Sequence, residues 1–459
     1  MRNYIYTLII LSIGFSSFAQ VDSPTSYSSY FTLSASRYEP GNLGEDHEKF
    51  EIAIINAYAW FGNTSLDVAS INKFTDHLNG NTLSDQELNG VLNKMGDRTR
   101  LGLGATIDYL NMMYKFTNSD GDEIITVGLG LADRVEANLI FPNNVFDLMI
   151  NGNAQYEDQS VTLPLGGSFL YSREHTLSLA MPLPIESEDW HFRIGTRLKY
   201  IKGIEGINAE RGDFSIYTAP YGKYIDLEYD YELNSSFDFR NGNDYSFSPM
   251  AGKGKGFGAD VGISGTFKDR WHGNINLLDI GNVTFKGEDN LTYKKAGTYR
   301  FEGIYLDDII DESNLPADSV LNAIESELKD GNEYEGQEFT IAYPTRMRIH
   351  LSYRIPRENK DGHTYYKHMI GLNLTQGFRD RGSAIKRTYI AGSYTFNLND
   401  VFEVGTNVGV LGYNKMEFGA FIALKAGPFR VGLGSGNITP LIKSFGTGAD
   451  INFNMTLAF

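Results

Sequence analysis

The chain has 459 residues, and 40 Lys and Arg against 57 Asp and Glu give a formal net charge of −17, which disfavours nucleic acid as a partner. It has no cysteine, which excludes both a disulfide staple and a lipid-modified cysteine anchor. With 49 Gly, 28 Tyr, 29 Phe and a mean hydropathy of −0.28, the composition still allows a membrane sheet, which shows lipid only every second residue.

Met1 to Ala19 sets Arg2 before an apolar core through Leu8, Ile9, Ile10, Leu11, Ile13 and Phe15. Ser17 and Ala19 give the small-x-small pattern of a signal-peptidase site. Residues 1–19 are therefore expected to be an export signal cleaved between Ala19 and Gln20. After it, no apolar run approaches the roughly 20 residues of a membrane helix. Residues 20–47 are polar and rich in Ser and Tyr, with a turn at Tyr38-Glu39-Pro40-Gly41-Asn42; they read as a leader or a plug.

Residues 48–459 read as one barrel. Lys49 to Phe61 is the first strand, and Asn72 to Asp97 breaks the two-residue rhythm as a helix, with Ser84 and Glu87 spaced as a capping box and Gly96 as terminator. Arg100–Phe116 and Glu123–Asn138 are long strands joined by Asn118-Ser119-Asp120-Gly121-Asp122. A short helical turn covers Val145–Met149. Strands resume at Val161–Met181, Trp190–Lys202, Ser215–Pro220, Tyr224–Phe239, Phe257–Phe267 and Trp271–Phe285. The acidic stretch Lys286 to Glu338 carries a helix at Asp318–Lys329. Phe339–Ile355, Thr364–Phe378, Ile385–Leu398, Val401–Tyr413, Glu417–Ala426 and Phe429–Gly434 follow.

In the last stretch, Gly448 to Phe459, the residues Ile451, Phe453, Met455, Leu457 and Phe459 alternate with Asn452, Asn454, Thr456 and Ala458. Every large apolar side chain then falls on one face. Loop length supports the same architecture. The insertions 72–97, 141–158, 240–256 and 286–338 land on one side, counting strands upward. The tight links Asn118–Asp122, Lys268–Arg270, Arg357–Gly362 and Asn399-Asp400 land on the other. Short inner turns with long outer loops are what outer-membrane barrels show. The fold class is all-β: a transmembrane antiparallel β-barrel of 14–16 strands, with short helices in long extracellular loops, and insertions 62–98 and 286–338 on the outer side.

Several stretches resemble a Bacteroidota family of outer-membrane β-barrels of unknown function. They are Val145–Asn153 (VFDLMINGN), Arg193–Gly203 (RIGTRLKYIKG), Gly254–Gly262 (GKGFGADVG), Leu278–Gly281 (LDIG), Pro344–Ile349 (PTRMRI) and the terminal strand. The resemblance runs from Glu45 to Phe459. More distantly, the architecture is similar to the long-chain fatty-acid transporter superfamily, whose 14-stranded barrels hold an N-terminal plug opening on Asn-Pro-Ala; the nearest text here is Glu39-Pro40-Gly41. The resemblance implies an outer-membrane location and a terminal strand, through Phe453, Met455, Leu457 and Phe459, that the barrel-insertion machinery reads. It implies no reaction.

Three strands put charge opposite their apolar face: Arg193, Arg197 and Lys199; Asp226, Glu228, Asp230 and Glu232; and Arg346, Arg348, His350 and Arg354. A mid-membrane Arg facing lipid costs about 2–4 kcal/mol, so these side chains are expected to line the lumen or stand above the membrane. There they either neutralise one another across a filled interior or form a charged constriction. No catalytic or metal-ligating constellation stands out: Gly262-Ile263-Ser264-Gly265-Thr266 misses a nucleophile elbow by its last residue, and no His-Glu-x-x-His occurs. No cofactor and no enzymatic activity are expected. The expected partners are outer-membrane lipid and lipopolysaccharide, the insertion machinery and other envelope proteins. The expected function is a channel or transporter for a small solute; the alternative is a non-conducting platform for surface-protein export or envelope assembly.

Overall fold

The structure is a computed structural model that describes residues 24–45, 48–67, 69–70, 72–73, 84–93, 97–185, 187–237, 252–302, 332–358, 364–379, 386–411, 416–439 and 447–459. The Ala19–Gln20 junction and the expected helix at Asp318–Lys329 lie outside the described residues.

Alternation of apolar and small or polar residues makes strands, and here the strands close on themselves. The wall runs in chain order through β1 (Phe50–Asn63), β2 (Arg98–Thr117), β3 (Glu123–Pro142) and β5 (Gly166–Pro182) to β6 (Trp190–Thr218). It continues through β8 (Gly254–Phe267), β9 (Trp271–Phe285), β13 (Arg346–Glu358), β14 (Thr364–Gly377) and β15 (Thr388–Leu398). The last four staves are β16 (Phe402–Val410), β17 (Met416–Ala426), β18 (Phe429–Ser435) and β19 (Gly448–Ala458). Each pairs antiparallel with the next, and β19 returns to β1 with Ile52 opposite Leu457 and Ala57 opposite Phe453. The result is a closed 14-strand antiparallel β-barrel. No helix of the described residues is long and apolar enough to cross a membrane.

The remaining strands extend the wall rather than widen it. Short β4 (Ser160–Thr162) and β7 (Ile225–Ser235) pair with the upper half of β6, β10 (Leu291–Phe301) pairs with β7, and β11 (Asn332–Glu335) pairs with β10. β12 (Phe339–Ala342) continues β13 along β9 after a break at residues 343–345. Two separate wall strands at Ser215–Pro220 and Tyr224–Phe239 are therefore corrected. The first is the top of the 29-residue β6, and the second is β7, beyond the ring.

Short turns and both ends of the ring gather at one end. Lys268 and Asp269, and likewise Asn399 and Asp400, adopt left-handed φ at the centres of tight hairpins (51° and 54°; 57° and 58°). Lys49 and Phe50 donate their N–H groups to Phe459 O at the same end. By the usual disposition of outer-membrane barrels this is the periplasmic end. At the other end lies the helix Asp85–Leu92, whose Ser84 and Glu87 exchange both capping-box bonds, and the helix Asn144–Asn151.

Outward faces carry exposed Leu129, Ile194, Ile275, Ile370, Ile422 and Ile451, whereas Asn373, Asn407, Asn452 and Asn454 are buried inside. Inside the longer-looped end, Leu170, Ile201, Val283, Phe285, Phe339, Ile341 and Tyr343 form an apolar cluster against the β5–β12 side.

Candidate functional site

The lumen holds residues 24–45. A 3-10 turn at Pro24–Tyr27, one helical turn at Thr32–Ala35 and a second 3-10 turn at Pro40–Asn42 compact this segment. Proline presets φ at the start of both 3-10 turns. Gly195 on β6 lets the second turn reach the wall: a Cβ there would collide with Pro40 O. No residue of the segment joins the strand ladder, so the ring is complete without it.

Charge holds the segment in place. Arg37 Nη1 donates to Asp108 Oδ1 (3.0 Å, β2) and Nη2 to Glu174 Oε2 (2.6 Å, β5). Glu39 Oε1 forms an ion pair with Arg348 Nη1 (2.8 Å) and lies 2.9 Å from His350 Nδ1, both on β13. Glu45 Oε1 accepts from Arg354 Nη1 (2.9 Å) and lies 3.1 Å from His272 Nδ1. Arg193 reaches Gly41 O (3.1 Å) and Leu43 O (2.6 Å) while also pairing with Glu123. Ser28 and Ser29 donate to the Glu403 carboxylate, and Asn373 Nδ2 donates to the Tyr27 hydroxyl (2.6 Å). Arg430 donates to Tyr30 O (3.1 Å) and bridges Glu48 and Glu51. Apolar contact adds to this: Leu33 and Leu43 pack against Ala53, Met113 and Ala180, and Tyr30 and Phe31 against Ala423.

Beside the segment runs a buried network across β3, β5, β6, β8, β9 and β13. Asp279 collects Arg134 (2.8 Å), Lys199 (2.6 Å) and Arg346 (3.4 Å). Arg134 also pairs with Glu136 and Glu174, and Lys199 with Asp260 (2.7 Å). A register shift between β8 and β9 with Asp279 at φ 56° turns this carboxylate inward, and its N–H donates to Asp260 Oδ1 (2.6 Å). A cavity of about 470 Å³ lies at the periplasmic side of the segment, bounded by Tyr27, Tyr30, Arg193, His350, Arg354 and Arg430.

Burial alone would raise the Glu39 carboxyl, but Arg348, His350 and His272 overcome it and hold the group down at about 2. Glu45 is driven well below the usual carboxylate range by Arg354 and His272, against the same opposing effect of burial.

Of the charged residues singled out from the sequence, Arg193, Arg197, Lys199, Arg346, Arg348, His350 and Arg354 face the lumen, and all of them but Arg197 touch the segment or Asp279 as described. Asp226, Glu228, Asp230 and Glu232 do not line the lumen but take the second of the two expected places: they sit on β7, in the sheet above the ring. Asp226 forms a two-pronged pair with Arg300 (2.7 Å each), which lowers its carboxyl's pKa. Asp230 and Glu232 pair with Arg211 (3.0 Å each), and Glu228 accepts from Ser215 (3.0 Å). An acidic stripe alternating with apolar residues looks the same whether the far side is a lumen or open water. The residues missed are Arg37, Glu39 and Glu45, in a segment without strand rhythm, and Asp108, Arg134, Glu174, Asp279 and Arg430, charges that form no alternating stripe along their strands. Asp279 and Arg430, each the one acidic or basic residue of its strand, were themselves a signal, because lipid would not tolerate them.

Among solved structures, the toluene transporter TodX of P. putida is similar at 8% identity, with 97% of this chain and 94% of that one covered and a TM-score of 0.40. A FadL homologue of Pseudomonas aeruginosa is similar at 9% identity, 96% and 95% coverage and 0.38. The translocator domain of the autotransporter NalP from Neisseria meningitidis is similar at 8% identity, 95% and 100% coverage and 0.35. No curated protein matches the chain. The family of unknown function DUF5723 matches residues 40–436, and the chain belongs to that family.

Proposed function

We propose that this barrel is a channel for a small solute, shut in this structure by its own N-terminal segment. The supporting observation is that the wall closes without residues 24–45, which ion pairs and hydrogen bonds tie to it from inside. Each charge-assisted bond contributes about 1.5–3 kcal/mol net, so the contacts can be exchanged for water one at a time as the segment shifts, with the ladder untouched. The apolar cluster covers only the β5–β12 side, and the opposite wall presents Asn373, Thr375, Asn407, Asn452 and Asn454, a surface suited to hydrated solutes.

Single-channel recording in planar bilayers tests this on the full mature chain. Gly195→Leu drives a side chain into Pro40 O and is expected to replace rare, brief openings with sustained steps. A Gly41→Cys/Ser264→Cys pair tethers the segment to β8: a Cβ at Gly41 lies 3.0 Å from Ser264 Oγ, close to disulfide geometry. Oxidation should abolish openings and reduction should restore them. A folded Gly195→Leu barrel that stays electrically silent, or a tether without effect, overturns the reading.

A further inference from the structure

Arg37 is an unusual gate component because its guanidinium fills a site that belongs entirely to the wall. Asp108 on β2 and Glu174 on β5 grip different nitrogens, and both carboxylates are almost fully buried (side-chain exposure 4% and 0%). Asn56 Nδ2 donates 2.7 Å to the second oxygen of Asp108, and Arg134 approaches the second oxygen of Glu174 at 3.4 Å, so both acids are fixed from behind. Were the segment to withdraw, this cation cradle would stand empty and preformed.

A second observation lies beside it. Arg197 on β6 is 4% exposed, and among the described residues it makes neither an ion pair nor a hydrogen bond; its buried Nε has no partner. It stands within electrostatic reach of Arg37, Glu174, Asp260 and Asp108, two residues above Gly195, where the segment's Pro40 abuts the wall. Asp260 is its Cα partner across the β6–β8 ladder but binds Lys199 instead. A buried guanidinium without an acceptor is costly, and its planar fork fits a carboxylate. Next to a cation cradle, it is the other half of a two-charge site.

We propose that the lumen binds a zwitterionic solute of the amino-acid or peptide class. Its cationic group replaces Arg37 between Asp108 and Glu174, and its carboxylate lies on Arg197. The proposal rests on the channel reading and adds to it the solute class and a reason for opening. The solute binds only the state from which Arg37 has withdrawn, so it shifts the population toward the open barrel. The segment is thereby a tethered competitor of the cargo.

The test uses full-length protein in detergent and equilibrium dialysis with labelled L-arginine and labelled agmatine, which keeps the guanidinium and lacks the carboxylate. Arg37→Ala and Arg37→Gln each open the cradle; folding is checked by heat-modifiable gel mobility. Both variants should bind L-arginine at least about tenfold more tightly than the unsubstituted chain, and about tenfold more tightly than they bind agmatine. Adding Arg197→Gln should erase the advantage over agmatine, and adding Glu174→Gln should weaken both probes. Equal binding of the two probes, or no gain on removing Arg37, overturns the proposal. Dialysis needs no current, so a silent barrel that binds L-arginine selectively counts against the channel alone. A conducting barrel without selective binding counts against the zwitterion site alone.

Discussion

Glu39 shows how one carboxylate can hold a gate. Its acidity is raised by Arg348, His350 and His272 despite burial, so its pKa falls from the ordinary 4.5 to about 2 in the docked state. A group depressed on docking stabilises the docked state above its ordinary pKa and loses that contribution as pH falls through the docked value. Glu45, shifted the same way, acts in the same direction. Open probability in planar bilayers should therefore rise as pH drops from about 4.5 toward 2, and Glu39→Gln should flatten that rise while opening more at neutral pH. A profile unchanged across this window would remove Glu39 from the gate. The inward aim of Arg346, Arg348, His350 and Arg354 was legible, because alternation with Met347, Ile349, Leu351 and Tyr353 leaves them no other face. Their partner Glu39 was not, because a compact polar segment has no period from which to read a facing surface.

Strand β6 marks where reading elements from the sequence breaks down. Its glycines at 203, 206 and 212 suggest an interruption after Lys202, since glycine weakens a strand interior. In the barrel these positions make room for neighbours: a Cβ on Gly203 or Gly206 would lie 2.7 or 2.5 Å from the Phe285 ring. Phe285 stacks on Phe339 at 5.1 Å and 13° within the apolar cluster, so packing between distant strands, invisible locally, keeps β6 continuous for 29 residues. Gly206→Val should force that ring out and cost about 1–3 kcal/mol, the usual range for overpacking. The temperature at which the barrel's gel mobility shifts should fall accordingly, with the single-channel behaviour of the periplasmic half retained. An unchanged transition would mean that Phe285 has another place to go. β7 follows the same logic: its charged alternation was plain in the sequence, but its place above the ring depends on pairing with the top of β6 and with β10.

The whole molecule is ordered by depth in the membrane. Aromatic pairs ring the periplasmic rim: Phe50 with Phe459, Tyr114 with Phe116, Trp190 with Phe192 and Phe267, and Trp271 with Tyr353. Toward the other edge, Tyr200 meets His175 and Phe257, and the outward ion pair Arg173–Asp133 (2.7 Å) is capped by the hydroxyls of Tyr171 and Tyr109. Amphipathic rings and paired charges belong where hydrocarbon gives way to headgroups, so these two levels bound the apolar band. The band itself was readable from alternation alone; its edges were not, because they depend on how strands stagger around the ring. Ile370, six residues above the start of β14 and 56% exposed, lies within it, whereas Val401 follows the Asn399-Asp400 turn at the rim. Ile370→Arg should destabilise folding into lipid vesicles by about 2–4 kcal/mol and Val401→Arg by about 0–1 kcal/mol, both read from urea titrations. Equal costs at the two positions would mean that the apolar band does not lie between these aromatic levels.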